Sequence, residues 1–451
     1  MTLCKQGEDR IIVNFYGTIW FTMLRIVITG IGAVTPIGNT FRDAWVAACS
    51  GRSGIRTISR VHVPGVPWTV CGEVREFDPL IYLEVKEARR IDLFAQYAVS
   101  AAIMAAEDAG LIQQAAGEGQ RAQGDNLYEP HDYLSSGGVI IGSSRGGIGT
   151  IEKALNSQLS APGPRGKTRG LSPYLMPATT ISMAASYTAQ KLGIMGHCLG
   201  ISNACTSGTH AIGEAYRLIR SGHAGPVFAG GADAPISRVC IEGYGAAGAL
   251  SRIPDHTASR PFDKKRDGFV LSEGACVLVV ERHDAAKKRG AHIYAEISGY
   301  GSTADAFHQT RPHPAGEARA MRSALALSEK GPQEMDFISA HGTSTLLGDS
   351  AEARAIRQVF GKRASRIPVA AMKSMTGHML AASGAFETAS SAMAIDQGVI
   401  FPTINLSEQD EDIPLSVVRE AAHADIRAVL VNSFGFGGVN AVLVLQKNDK
   451  E

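Results

Sequence analysis

Three polar segments, far apart in the chain, carry residues suited to covalent and proton-linked chemistry. SNACTSGTH at 202–210 places Cys205 just ahead of a helical stripe. Ala211, Ile212, Ala215, Leu218 and Ile219 share one face of it, Glu214, Arg217 and Arg220 the other, and Gly222 stands where it should end. A sulfur at a helix N-terminus meets free N–H groups and the positive end of the dipole, so the expectation is a thiolate poised as a nucleophile. Its small neighbours Ala204, Thr206, Ser207 and Gly208 leave room for an acyl group. His341 lies in SAHGTST at 339–345, and His378 closes KSMTGH at 373–378. Both follow short apolar runs of strand length, where α/β sheets place their chemistry. Two imidazole N–H groups aimed at one oxygen stabilise an enolate, the intermediate of a decarboxylating thioester condensation. Lys373 then supports the electrostatics of the pair. Neither histidine has a third ligand at helical or hairpin spacing and no CxxC pair exists, so no metal is expected. His210, His223 and His308, like Cys198, Cys240 and Cys276, read as structural residues.

A fourth segment, NSFGFGGVN at 432–440, lies between two strand-like runs. It opens no helix, so it is not a dinucleotide-binding loop. It suits a turn that brings backbone N–H groups close to the sulfur.

The elements that must position these loops alternate. Continuous apolar runs at 24–29, 138–142, 226–229, 275–280, 337–340, 369–371, 428–431 and 441–445 predict strands covered on both faces. Helical patterns at 88–109, after Cys205 and at 379–393 lie between them, which argues for α/β layers. Residues 115–136 and the basic stretch 161–170 read as loops. A strand ending in glycines at 291–301 echoes the one near 24–32 and hints at an internal duplication.

The net charge of +1 excludes a global nucleic-acid signature, and seven irregularly spaced cysteines make no disulfide framework. No run is long and apolar enough to span a membrane. The first 22 residues mix charges with a short apolar stretch, unlike a signal peptide. The folded part is therefore expected to begin at Met23, with 1–22 an extension, a leader or a misassigned start. The remainder divides into halves at 23–291 and 292–451.

Five motifs in order, ACTSGTHAIGEA at 204–215, RPFDKKRDGFVLSEGA at 260–275, HGTSTLLGD at 341–349, KSMTGH and NSFGFGG, closely resemble the β-ketoacyl-[acyl-carrier-protein] synthases of the thiolase-fold superfamily. The elongating type II enzymes are the most similar. The resemblance implies a five-layered αβαβα fold of two duplicated halves, a cytoplasmic homodimer, and no cofactor beyond the phosphopantetheine that carries the substrates. It implies an acyltransferase that condenses malonyl-carrier protein with a Cys205-bound acyl group and extends it by two carbons in fatty acid biosynthesis. His341 and His378 then serve decarboxylation and condensation, supported by Lys373. Phe436 gates the site, its N–H joining that of Cys205 in an oxyanion hole. Thr343 and Thr345 meet the phosphopantetheine arm, and Lys86, Arg89 and Arg90 dock an acidic carrier protein.

Two positions depart from the family pattern. Arg145, in GSSRGGI at 142–148, stands where an apolar residue floors the acyl pocket, and it is assigned with Tyr244 to substrate binding. A buried guanidinium there needs an acidic partner, or else shortens or polarises the pocket. Gly248 replaces an arginine that often faces the carrier. A specialised ketosynthase of a polyketide or polyene pathway is the alternative. A coenzyme A-dependent thiolase is disfavoured, since no cysteine follows Cys276 to act as its second thiol.

Overall fold

The computed structural model describes residues 24–114, 132–160, 170–222 and 225–448, and the backbone of short strands at 3–6, 9–12 and 128–130. Most of the two expected loops, and His223, lie outside these residues.

The first half comprises β1 (Ile26–Val34), α1 (Leu93–Asp108), β2 (Gly138–Gly142), β3 (Cys198–Ile201), α2 (Ser207–Arg220), β4 (Val227–Asp233) and β5 (Gly274–Arg282). The second comprises β6 (Ala295–Ala304), α3 (Pro314–Leu327), β7 (Phe337–Ser339), α4 (Leu346–Phe360), β8 (Pro368–Ala370), α5 (Ala381–Gln397), β9 (Ala428–Gly435) and β10 (Val439–Gln446). The spatial orders are β3-β2-β4-β5-β1 and β8-β7-β9-β10-β6. Counted within each half, both read 3-2-4-5-1. In both, the first three strands of that order are parallel and the last two antiparallel. The duplication is thus a repeat of topology. The sheets meet at a seam of two residue pairs, Ala295 with Ile28 and Glu296 with Val27.

Burial of whole strands, such as every residue of β1 and β4, reflects helices on both faces. One apolar core lies between the sheets, built on α2 and α5. A second packs α1 on the outside of the first sheet, and a third packs α3 and α4 on the outside of the second. Five layers, αβαβα, result.

The middle layer is tight because glycines permit it. A Cβ on Gly208 would lie 2.2 Å from the Ala381 carbonyl oxygen, and one on Gly384 would lie 2.0 Å from Thr209 Oγ1. The expected helix at 88–109 is instead two: Val85–Ala88, then α1, whose N-cap Asp92 accepts the Phe94 N–H at 3.0 Å. Cys240 and Cys276 are buried, but Cys198 is exposed on the edge strand β3.

Candidate active site

Cys205 sits one residue before the Thr206 N-cap of α2. Ala204 ahead of it holds φ at +49°, and Ser344 and Leu380, beside the two histidine loops, hold +69° and +50°. Such backbone strain in non-glycine residues gathers where a site fixes its side chains. A cavity of about 330 Å³ is lined by Cys205, Tyr244, Gly248, His341, Thr343, Thr345, His378 and Phe436, among others. Sulfur and imidazoles, more than a hundred positions apart in sequence, therefore share one space.

The histidines are held from behind. Lys373 Nζ donates to the His341 carbonyl at 2.6 Å, to Glu387 Oε1 at 2.5 Å and to His341 Nδ1 at 3.2 Å. An ammonium has three protons and accepts none, so His341 Nδ1 is the acceptor and the ring hydrogen sits on Nε2. Glu352 fixes the same loop by accepting the His341 and Gly342 N–H groups, each at 2.8 Å, and Asn432 Nδ2 at 2.9 Å. His378 Nδ1 lies 3.2 Å from Ser383 Oγ, which already accepts the Met379 N–H at 2.9 Å. Donation of the Ser383 hydroxyl proton to Nδ1 again leaves the hydrogen on Nε2. The two rings stand edge to face, 5.5 Å between centroids. Burial, then the Lys373 charge, holds both imidazoles well below their ordinary range, so both are neutral donors.

The sulfur departs from expectation. Burial pushes the Cys205 thiol up to about 11, although the Lys373 charge and a hydrogen bond from the Phe436 N–H pull the other way. Desolvation outweighs both, and the resting group is a thiol at neutral pH, not the expected thiolate.

Arg145, expected at the floor of the acyl pocket, has an exposed side chain in the single chain and is not among the residues that line this cavity. Its partner is a hydroxyl: Nε donates to Tyr244 Oη at 2.8 Å, and the guanidinium carbon lies 5.1 Å from that ring's centroid. Tyr244 does line the cavity and belongs to an aromatic wall with Phe269 (5.4 Å) and Phe436 (6.4 Å). Thr343 and Thr345 pair their hydroxyls at 3.0 Å, and Thr345 caps α4. Gly248 lines the cavity at φ +68°, the C-terminal turn of Arg238–Ala246, a conformation that favours glycine over arginine. Lys86, Arg89 and Arg90 are exposed around the short helix Val85–Ala88, away from the cavity wall. His210 bonds Ser302 in the interior and is structural, as expected.

Sequence reading missed Glu387, Glu352, Ser383 and Asp233. Asp233, fully buried, accepts Ser143 Oγ, the N–H groups of Ser144 and Arg145, and the Ala381 N–H that starts α5. Glu387 could have been found, being the only charged residue between Ala381 and Ile395 in a run of apolar and small residues.

Comparison with known proteins agrees with this arrangement. Residues 23–286 match the β-ketoacyl synthase N-terminal domain and 294–407 the C-terminal domain. This chain belongs to the β-ketoacyl synthase family. It is 42% identical over 428 residues to the 3-oxoacyl-[acyl-carrier-protein] synthase 2 of Coxiella burnetii, covering 94% of this chain and 98% of that one. It is 41% identical to the enzyme of the same name from Staphylococcus aureus, with the same coverage. Among solved structures, the ishigamide ketosynthase/chain length factor superposes with a TM-score of 0.85 at 35% identity, over 95% of this chain and all of that one. A type II polyketide ketosynthase in complex with its acyl-carrier protein, AntDE:AntF, gives 0.82 at 30% identity, with the same coverage. Among the described residues, no helix is long and apolar enough to cross a membrane.

Proposed function

We propose that this synthase extends a Cys205-bound acyl group by two carbons, using malonyl-carrier protein as donor, in fatty acid biosynthesis. The observation that carries the reading is the tautomer pattern: two neutral imidazoles, each with Nδ1 held and Nε2–H free, line the same cavity as the sulfur. Acylation is a thiol exchange. The sulfur attacks the incoming thioester, the carbonyl oxygen takes the Phe436 N–H, and the Cys205 proton leaves on the carrier thiol. Malonyl-carrier protein then loses carbon dioxide. The resulting enolate oxygen receives the two Nε2–H groups, its carbon bonds to the acyl carbonyl, and the C–S bond to Cys205 breaks, the departing thiolate taking a proton from solvent to restore the thiol. Neutral histidines suit this step, since it needs donors and no proton acceptor. Thr343 and Thr345 line the path of the arm, and Lys86, Arg89 and Arg90 offer an acidic carrier an unobstructed basic surface. Intact mass spectrometry after incubation with a panel of acyl-carrier proteins tests the reading. An acyl mass that maps to Cys205 supports it, and loading elsewhere refutes it.

The working unit in this reading is a cytoplasmic homodimer. Strand β3 is an edge, and the apolar residues on and just before it, Leu199 (39% exposed) and Met195 (81%), are what a second copy would cover. Sedimentation at micromolar concentration checks this, a monomer counting against it. One observation favours a specialised pathway as the second reading: Arg145 on Tyr244 places a cation beside the acyl wall. The loading profile separates the two, a preference for polar or unsaturated acyl groups marking the second.

A further inference from the structure

Arg311 stands alone in the wall of the catalytic cavity. Of the residues lining it, Arg311 is the only arginine or lysine, and it is exposed at the rim with Leu346 and Leu347. The acids of the same wall are engaged or neutral. Asp267 accepts Ser251 Oγ and the Arg252 N–H. Asp305 accepts the His313 N–H at 2.9 Å and Asn440 Nδ2 at 2.7 Å. Glu317 is buried, and desolvation holds its carboxyl well above the usual range. Among the described residues the Arg311 guanidinium meets no carboxylate. It meets the Phe307 ring, 5.5 Å from its centroid.

The loop that presents it is braced. His308 Nδ1 accepts the N–H groups of Thr310 (3.1 Å) and Arg311 (3.2 Å), and Pro312 and Pro314 follow. The Gly437 N–H donates to the Gln309 carbonyl at 2.7 Å, and the Asp305 N–H to the Gly438 carbonyl at 2.7 Å. Arg311 is therefore tied to the glycine loop whose Phe436 N–H touches the sulfur. A ligand spanning rim and floor would meet an unpaired guanidinium at one end and a thiol at the other.

We infer that Arg311 is a phosphate clasp: its guanidinium binds the phosphate of a phosphopantetheine arm while the arm's thioester reaches Cys205. The inference rests on the synthase reading and adds a residue and a ligand group to it. The chemistry selects phosphate. A planar guanidinium forks onto two phosphate oxygens, and an anion is expensive to take below the rim, so it stays where solvent still reaches it. Stacking on Phe307 holds the side chain ready and limits the freedom lost on binding.

The test compares acylation of Cys205 by two small thioesters carrying the same acyl group, one of 4′-phosphopantetheine and one of pantetheine without the phosphate. Rates are read by intact mass for wild type, Arg311→Ala and Arg311→Lys. The carrier-protein thioester is a third arm. Wild type should prefer the phosphorylated thioester by about tenfold, the effect of one charge-assisted contact at a wet rim. In Arg311→Ala that preference should collapse toward parity, and Arg311→Lys should keep part of it. The carrier thioester should lose as much as the phosphopantetheine one. A preference that survives in Arg311→Ala, or is absent from wild type, overturns the clasp while leaving the synthase reading intact. A wild type that neither thioester nor the carrier arm acylates overturns the synthase reading and the clasp with it. A misfolding defect lowers both small-thioester rates together, leaves their ratio, and so counts against the clasp.

Discussion

Lys373 Nζ donates to His341 Nδ1 at 3.2 Å, and the same ammonium is held at 2.5 Å by Glu387. A cation thus sits behind the first imidazole and fixes which of its nitrogens faces the cavity. It cannot take a proton from the reacting carbons, because all three of its hydrogens are engaged away from them.

Glu387→Ala removes the one carboxylate paired with this buried charge. The cost expected is about 3–5 kcal/mol, most of it from stranding Lys373. Glu387→Gln should lose less, since it keeps an acceptor. Urea unfolding of both variants provides the measurement, and an alanine variant within about 1 kcal/mol of wild type would contradict the assignment.

With the Cys205 thiol at about 11, its alkylation by iodoacetamide should have no plateau across neutral pH. A raised thiol pKa depletes the thiolate below it, so the rate should climb about tenfold per pH unit from 6 to 10. Levelling below pH 8 would mean that the helix terminus or Lys373 outweighs burial after all.

Cys205→Ala should abolish acyl loading and chain extension without disturbing the fold, because alanine fits wherever this half-buried side chain does. Circular dichroism and the loading assay together check this. Extension by purified Cys205→Ala would refute the nucleophile.

His341→Ala and His378→Ala should each slow release of carbon dioxide from malonyl-carrier protein by about 10²–10³-fold, the usual effect of one lost oxyanion donor. Acylation of Cys205 should suffer far less, because its oxyanion is served by Phe436. Labelled carbon dioxide release and acyl loading, measured side by side, separate the steps. Equal damage to both would mean that the histidines only support structure.

Arg145→Ile frees Tyr244 from its clasp and should shift acyl acceptance toward longer chains. Competition among carrier thioesters of different length reads this out, and an unchanged profile would leave Arg145 with no part in selection.

Much of this was legible in the residues themselves. The strand runs at 138–142, 337–340 and 428–431 are real because burial on both faces demands continuous apolar sequence, which is a strong local signal. Cys205, His341 and His378 stood out through their small and hydroxyl-bearing neighbours. The break between Val85–Ala88 and α1 was overlooked although Asp92 marks it, because an Ala-rich pattern hides a cap. The state of the sulfur was misjudged because charge at a helix end is visible in sequence whereas desolvation is set by chain segments hundreds of positions away. Asp233 and Glu352 were invisible for the same reason: their partners are backbone N–H groups of distant loops, and backbone carries no letter.

The contact of Gly208 with Ala381 and of Gly384 with Thr209 has a mechanical meaning for the chemistry. One repeat brings the nucleophile and the other brings both proton donors, and no bond links the reacting groups directly. Their separation is gauged by how closely two dry helices lie against each other, as a spacer sets the gap of a spark plug. A methyl group added at either glycine would wedge that gap open, so a substitution that meets no substrate could silence the enzyme.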